Sequence, residues 1–340
     1  MKRSHLAALT MSDLADIAGL STSTVSRALQ DSPLIALKTR RRIQELAREH
    51  SYSINPVARS LRSRKTGTIA VVVPLVHEAD QPLSDPFFMA MLSHLADALS
   101  LRGCDLLLQK VPVHADDWVS RTISNRRADA VIVIGQSLEH ASIDAAARDG
   151  VPVVAWGAML PDQHYATVGS DNREGGRLAA AHLLDNGRRR LAFLGNCELP
   201  EVSQRFEGFL AAHREVGLPH DPALILPAHF GRNDARRASR ALVESGVPFD
   251  GVVAASDIIA TAMVRALGEK GIGVPQDVGV VGFDDAPLAA FSAPPLTTIR
   301  QHLKAGAGYL VDLALAAAGG EVGKSIQMPV ELIVRGSTIP

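Results

Sequence analysis

Four polar side chains near the start of the chain could form hydrogen bonds to the edges of base pairs: Thr22, Ser23, Ser26 and Arg27. In a helix over these residues, Val25, Ala28 and Leu29 fall at positions i, i+3 and i+4 and would share an inward face. The polar group would then occupy the opposite face. Short hydroxyl side chains and a guanidinium suit the donor and acceptor pattern of the DNA major groove.

Two short helices joined by a tight turn would position this face, in the stretch SDLADIAGLSTSTVSRAL from Ser12 to Leu29. Ser12 is a candidate N-cap of the first helix, and Gly19 stands where a left-handed residue would end it. Ser21 can cap the second helix. This spacing predicts a helix-turn-helix, a motif that places its second helix in the major groove. An ordinary helical hairpin with no DNA partner is the alternative.

A third helix and a basic segment follow. Lys38–His50 carries Ile43, Leu46 and Ala47 on one stripe, so a helix there would pack behind the first pair. Residues 55–61, NPVARSL, begin with a capping asparagine and a proline suited to a first helical turn. Such a short helix is unstable alone in water. We therefore expect a hinge helix that becomes ordered only against DNA or a partner chain.

Residues 10–66 resemble the DNA-binding headpiece of the lactose-repressor/galactose-repressor (LacI/GalR) family, through TMSDLADIAGLSTSTVSRAL, KTRRRI and NPVARSLRSRKTG. The resemblance implies a headpiece over residues 10–54, a hinge helix and linker over 55–66, and a core over 67–340. It also implies nine residues in contact with operator DNA: Ser12, Ser21, Thr22, Ser23, Ser26, Arg27, Asn55, Ala58 and Leu61. Leu61 would insert into the minor groove at the operator centre and kink the DNA.

The charge distribution agrees with a nucleic-acid partner. Residues 1–66 contain 12 Lys/Arg and 5 Asp/Glu, a balance of +7, whereas residues 67–340 contain 23 and 31, a balance of −8. The two balances sum to the formal net charge of −1. A basic head on an acidic body is the asymmetry expected of a DNA-binding protein. A solvated basic face with no partner is the alternative.

Composition excludes several classes of protein. The 340 residues, 46% hydrophobic and 21% charged, fit a globular protein of two or three domains. No apolar run approaches the ~20 residues of a membrane span, and the first nine residues do not fit a secretory signal. Cys104 and Cys197 match no zinc or redox spacing. We therefore expect a cytoplasmic protein with no membrane association, metal or other cofactor.

From Thr68 onward the pattern changes to alternating strands and helices. Ile69–Pro74 is a continuous apolar run, typical of a strand in a parallel sheet that is covered on both faces. Strand and helix patterns alternate as far as Val151–Trp156 and restart after Ser170. This predicts an α/β core of two doubly wound lobes with a cleft between them, behind an N-terminal all-α helix-turn-helix headpiece.

This core resembles the family's sensor core, which has the fold of periplasmic sugar-binding proteins. The matching segments are VGSDNREGGRLAAAHLLDNGRRRLAFLG, QRFEGFLAA, DVGVVGFDDAPLA and PPLTTIRQ. In that family the chain crosses between the lobes three times. We place the crossings near Thr167–Asp171, Pro294–Thr298 and Gln327–Val330, so that Lys304–Ala317 returns to the first lobe and Val330–Pro340 to the second.

Ligands of open α/β sheets bind beyond the carboxyl ends of the strands. Four aromatic residues near such places could stack on a sugar or base ring: Phe87, Phe88, Trp156 and Phe230. The resemblance adds four polar residues to an effector site: Arg205, Ser256, Asp284 and Gln301. Helix-cap packing of the aromatic rings and a structural Arg205–Asp284 ion pair are the alternatives. Gly157 and Ala158 depart from the family pattern, because some relatives carry an acid and a bulky residue there.

The resemblance implies a ligand-responsive, DNA-binding transcriptional regulator. We expect a homodimeric repressor that binds a pseudo-palindromic operator and senses a sugar or sugar derivative in the cleft between the lobes. Enzymatic activity is not expected, because GxSxG, P-loop and HExxH motifs are absent and the adjacent Asp284 and Asp285 would point apart at a strand end. A periplasmic-type transport receptor and an architectural DNA-binding protein are the alternatives, and each explains only one part of the chain.

Overall fold

Two compact units divide the chain, residues 1–66 and residues 67–340. This computed structural model describes residues 9–29, 31–50, 52, 65–74, 82–111 and 117–339. The predicted hinge helix, with Asn55, Ala58 and Leu61, lies outside the described residues. The structure of that segment and its DNA contacts therefore stay predictions.

The first unit contains three helices among its described residues: α1 (Met11–Ala18), α2 (Thr22–Leu29) and α3 (Leu37–Glu49). Both α1 and α3 pack against α2. The core between them is formed by apolar side chains that include the fully buried Leu14, Val25 and Ile43. The apolar spacing of the sequence predicts these helices to within one or two residues at their ends.

The predicted N-cap of α1, Ser12, is wrong, because Thr10 caps this helix. The Thr10 N–H donates to Asp13 Oδ2 at 2.9 Å, and the Asp13 N–H donates to Thr10 Oγ1 at 3.3 Å. These two bonds form a capping box. Its four residues are Thr-Met-Ser-Asp, so the cap lies two residues before Ser12. Gly19 ends the helix with φ of 67°, in the left-handed region, as its position predicts.

The second unit comprises, in chain order, β1 (Thr68–Pro74), α4 (Pro86–Leu101), β2 (Asp105–Val111), α5 (Trp118–Ser124), β3 (Ala130–Ile134), α6 (His140–Arg148), β4 (Val153–Trp156), β5 (Ala166–Ser170), α7 (Asn172–Asp185), β6 (Leu191–Leu194), α8 (Pro200–Glu215), β7 (Ile225–Leu226), α9 (Arg232–Glu244), β8 (Gly251–Ala254), α10 (Asp257–Glu269), β9 (Gly279–Asp284), β10 (Thr297–Gln301), α11 (Leu303–Ala318), β11 (Ile326–Met328) and β12 (Val330–Ile333).

These strands form two six-stranded sheets, one in each of two lobes. The first-lobe sheet has the order β11-β5-β4-β3-β1-β2, and its strand pairs are parallel. The second-lobe sheet has the order β12-β10-β9-β8-β6-β7 and is parallel except for the antiparallel β10–β12 pair. Strands such as β3 are buried along their whole length. The two doubly wound α/β lobes that the sequence predicts are confirmed.

The chain passes between the lobes three times, after Ser170, after Gln301 and after Met328. Following the second crossing, α11 packs against α4 and the first-lobe strands. The sequence predicts the middle crossing near Pro294–Thr298, but it lies a few residues later, because β10 stays paired with β9 through Arg300. The first and third crossings fall where they are predicted.

Close contact between α7 and α8 depends on glycine. A Cβ at Gly176 in α7 would lie 1.9 Å from the backbone oxygen of Arg205 in α8. We expect Gly176→Ala to lower the free energy of unfolding by about 1–3 kcal/mol, because the backbone must move to make room. Gly308→Ala, in α11, is the matched control: no atom lies within 4 Å of its Cβ position, so it should be neutral or slightly stabilising. Urea denaturation compares the two variants, and equal stabilities would contradict this explanation.

Candidate functional site

The first unit exposes most of the side chains that are predicted to contact DNA. Those exposed are Ser12, Ser21, Thr22, Ser23 and Arg27. Ser21 caps α2 by accepting from the Thr24 N–H at 3.3 Å, and its hydroxyl lies 2.9 Å from Ser23 Oγ. The start of α2 therefore presents hydroxyl groups to solvent, with the guanidinium of Arg27 one turn further along. This set of groups suits the floor of a major groove.

Ser26 does not lie on the exposed face of α2 on which it is predicted to lie. Only 4% of this residue is exposed, whereas the sequence analysis places it on the outer face with Arg27. The reason is that α1 and α3 both pack against α2, so they cover a wider arc of the helix than its apolar residues define. Ser26 is therefore not available for a base contact in this arrangement of the helices.

All eight side chains predicted to bind an effector line one cavity of the second unit: Phe87, Phe88, Trp156, Arg205, Phe230, Ser256, Asp284 and Gln301. The cavity lies at the carboxyl ends of strands from both sheets. Its empty volume is about 850 Å³, including the part of its mouth that is open to solvent.

The aromatic wall of the first lobe comes from α4 and β4. Phe87 and Phe88 stand in the first turn of α4, which Asp85 caps by accepting from the Phe87 N–H at 2.9 Å. Their ring centroids are 5.6 Å apart. Trp156 ends β4 and packs so closely on Gly306 that a Cβ there would lie 2.3 Å from the indole. Phe88 and Trp156 also belong to the first-lobe core, so these two residues both pack in the core and line the cavity.

Arg205 in α8 is buried and fixed by its neighbours. Its Nε donates to Asn172 Oδ1 at 2.9 Å, and its Nη1 donates to the Ala255 carbonyl at 2.5 Å. Its guanidinium carbon lies 3.6 Å from the centre of the Phe283 ring, a cation–π contact. Burial lowers the pKa of Arg205, and the charge of Asp284 raises it. Arg205 and Asp284, both among the described residues, do not form a direct ion pair with one another.

Asp284 ends β9, close to two of the crossings. The Gln301 side-chain amide donates to Asp284 Oδ1 at 2.7 Å, and Gln301 Oε1 accepts from Ser170 Oγ at 2.8 Å. Burial raises the pKa of Asp284 well above its usual range, against the opposing effect of Arg205. A hydrogen-bonded chain thus leads from the cavity to Ser170 and Gln301, the last strand residues before the first and second crossings.

Asp285 has different partners from its neighbour Asp284. It accepts from Arg300 Nε and Arg335 Nη2, each at 2.7 Å. Both acids have positive φ, 116° for Asp284 and 53° for Asp285, so the backbone turns sharply at this point. The two carboxylates therefore do not face one another as the acid–base pair of a glycosidase would.

Ser256 and Asp257 stand at the start of α10. Ser256 is buried at the cavity and caps the helix by accepting from the Ile259 N–H at 3.3 Å. Asp257 is also buried, and it accepts from Thr298 Oγ1 at 2.5 Å and from the Ala286 N–H at 2.7 Å. Burial raises the pKa of Asp257 to about 7.

The raised pKa of Asp257 predicts a pH dependence of stability. Between about pH 4 and pH 7 the folded protein keeps a proton that the unfolded chain releases, so this residue makes stability fall as pH rises through that window. Asp257→Asn keeps the size and one acceptor oxygen, and it should flatten this part of the profile. Urea denaturation at a series of pH values measures the effect. A variant with the wild-type slope would show that Asp257 does not titrate there.

Sequence patterns do not identify four further polar residues of the cavity: Asp85, Ser137, Glu201 and His229. Asp85 carries a usable signal, because aspartate before proline is typical of a helix start. Glu201 lies four residues before Arg205 on α8, a spacing that puts both on one face of the helix. Which face of α8 meets the cleft depends on how the two lobes meet, and no local pattern encodes that.

Within the ranges that the structure describes, no helix is long and apolar enough to span a membrane, and no group of three or more His, Cys, Asp and Glu side chains could hold a metal ion. Cys104 and Cys197 are free cysteines.

Two family descriptions match the chain. Residues 10–55 match bacterial regulatory proteins of the lacI family, and residues 180–338 match a periplasmic binding protein-like domain. The HTH-type transcriptional regulator CelR of Thermobifida fusca is 29% identical over 335 residues, which cover 96% of this chain and 98% of CelR. The HTH-type transcriptional repressor CytR of Escherichia coli (strain K12) is 29% identical over 337 residues, which cover 97% of this chain and 96% of CytR.

Solved structures resemble the chain over nearly its full length. The transcriptional regulator CelR–cellobiose complex has a TM-score of 0.72 and 28% identity, covering 96% of this chain and 99% of that one. The lac repressor dimer bound to operator and the anti-inducer ONPF has a TM-score of 0.84 and 22% identity, covering 98% and 100%. At this identity the second likeness supports the fold.

Proposed function

The chain belongs to the lacI family of bacterial regulatory proteins, and on that premise we propose that it is a repressor that binds a pseudo-palindromic operator as a homodimer and senses a sugar or sugar derivative. DNA-binding transcriptional regulation explains the basic helix-turn-helix unit, and ligand sensing explains the two-lobed core. Operator DNA lies in the bacterial cytoplasm, so the proposal includes that location. It includes no catalytic step.

The cavity is the observation that carries the sensing part of this proposal. Aromatic faces can stack on the apolar side of a sugar ring, while Asp284 can accept from hydroxyls and Arg205 can donate to them. The relative CelR is known as a complex with cellobiose, which supports a sugar as the ligand. A purely architectural role in DNA binding would also leave a cavity with aromatic walls and convergent polar groups unexplained.

A ligand alters DNA affinity only if it binds two arrangements of the protein unequally. The hydrogen-bonded chain Asp284–Gln301–Ser170 joins the cavity to the crossings, which are the segments about which the lobes can rotate. A ligand that binds Asp284 would therefore favour one arrangement of the lobes. In a dimer, that choice changes the spacing of the two DNA-binding units.

Exposed apolar surface supports the homodimer. β2 is an edge strand of the first-lobe sheet, and Leu108 on it is 41% exposed. In the second lobe, Leu288 and Phe291 are 66% and 86% exposed. Edge strands and large exposed apolar side chains are commonly covered by a partner. Two copies related by a two-fold axis would read the two halves of a pseudo-palindrome.

Selection from randomised duplex DNA with the full chain tests this function, followed by titration of the selected duplex with and without a panel of sugars. We expect a consensus with two-fold symmetry and a change in operator affinity of at least about fivefold with one sugar. An asymmetric consensus would contradict the homodimer. A panel without any effect on operator affinity would contradict sugar sensing.

A further inference from the structure

Carboxyl groups outnumber basic groups among the described side chains that line the cavity. The carboxyl groups are those of Asp85, Glu201 and Asp284, and the basic groups are those of Arg205 and His229. Carboxylates bind ligands that donate hydrogen bonds, such as sugar hydroxyls. Burial raises the pKa of Glu201 and of Asp284, so a negative charge is costly at this site, and a ligand that brings one meets the same cost.

Two nitrogens of the Arg205 guanidinium already have hydrogen-bond partners within the protein. The guanidinium binds a carboxylate or phosphate most strongly through two parallel N–H groups. Its Nε is engaged by Asn172 Oδ1, so the fork formed by Nε and Nη2 is not open to a ligand. Its Nη1 also donates to the Ala255 carbonyl. The N–H groups that are left can each donate to a hydroxyl.

Glu201 reaches the first-lobe wall of the cavity from the second lobe. Its Oε1 accepts from the backbone N–H of Gln136 at 3.4 Å. A Cβ at Gly157 would lie 2.8 Å from this oxygen, so glycine there leaves room for the carboxylate. The Gln136 side chain is itself fixed, because it accepts from the Ala158 N–H at 2.8 Å and donates to the Ala158 carbonyl at 2.7 Å. Glu201 therefore places a second-lobe carboxyl group against fixed atoms of the first-lobe wall.

We propose that Glu201 is a specificity-determining residue that restricts the ligand to uncharged sugars and excludes sugar phosphates and sugar acids. This inference rests on the proposed function. An uncharged sugar donates hydroxyls to Glu201 and Asp284 and accepts from Arg205. A phosphate or carboxylate group in the same cavity faces carboxyl groups from both lobes, at a buried site that penalises negative charge.

Calorimetric titration of the full chain with paired probes tests this proposal. The pairs are glucose with glucose 6-phosphate and with glucuronate, ribose with ribose 5-phosphate, and cellobiose with cellobionate. We expect at least one uncharged probe to bind at least about tenfold more tightly than its charged counterpart. Glu201→Gln keeps the shape of the side chain and removes its capacity to ionise, so the ratio of uncharged-probe to charged-probe affinity should fall by about tenfold. Glu207→Gln, exposed on the same helix, is the matched control and should keep the wild-type ratio.

The outcomes separate this inference from the function on which it rests. Operator binding by Glu201→Gln without sugar shows that the variant is folded. A charged probe that binds as tightly as its uncharged counterpart would overturn the inference alone, as would a Glu201→Gln variant with the wild-type ratio. A panel in which neither series binds would overturn both the inference and the sensing of a sugar.

Discussion

Replacing Asp284 with asparagine is expected to abolish the response to sugar while leaving operator binding in its absence nearly unchanged. Asparagine keeps an acceptor for the Gln301 amide, and it tolerates positive φ better than most residues do. What it removes is the carboxyl oxygen that is not bonded to Gln301, which an amide nitrogen replaces. A ligand hydroxyl that loses its acceptor at a buried site costs about 1–3 kcal/mol, so ligand affinity should fall about five- to 150-fold.

Asp162→Asn provides the control for this substitution, because Asp162 is exposed and also has positive φ, 56°. Titration of the operator complex with the sugar identified by the panel compares the two variants with the wild type. We expect Asp162→Asn to respond normally and Asp284→Asn to remain bound to the operator if the sugar is an inducer. A normal response from Asp284→Asn would mean that Asp284 serves the fold alone.

Arg27→Ala is expected to produce the largest loss of specific DNA binding. Arg27 is exposed one turn into α2, and a guanidinium can bind guanine through two hydrogen bonds in the major groove. Such a contact contributes about 1–3 kcal/mol of discrimination, which is roughly five- to 150-fold in affinity for the selected operator. Affinity for unrelated DNA should fall much less, because non-specific binding is spread over many basic residues.

Arg48→Ala, on the exposed surface of α3, is the matched control and removes the same charge from the first unit. Fluorescence anisotropy with the selected operator and with an unrelated duplex, at two salt concentrations, gives both affinities for each variant. If Arg27→Ala weakened the two duplexes equally, Arg27 would contact phosphate and not bases.

Local patterns predict most of the elements of this fold. The i, i+3, i+4 spacing of Val25, Ala28 and Leu29 identifies α2, and unbroken apolar runs such as Ile69–Pro74 identify buried parallel strands. The resemblance adds the chain crossings, two of which fall where it places them. Strand-end positions and the resemblance together name eight residues from separate parts of the chain that meet around one cavity. Their role in binding a ligand stays a prediction.

What local patterns miss depends on contacts between elements. The burial of Ser26 follows from the way two helices pack on a third, and the middle crossing follows from how long β10 stays paired with β9. Glu201 enters the cavity only because Gly157, in the other lobe, leaves room for its carboxylate. Neither residue alone signals this, since the lobes have to be assembled before the two come together.

We infer that sugar binding and operator binding are linked within one molecule. The most direct test is to measure the dissociation constant of the sugar twice, with the free protein and with protein saturated by the selected operator. Linkage requires that the ratio of these two dissociation constants equal the ratio of the operator dissociation constants with and without the sugar. We expect two equal ratios that differ from one by at least about fivefold, whereas a sugar that binds free and operator-bound protein with the same affinity would contradict this linkage.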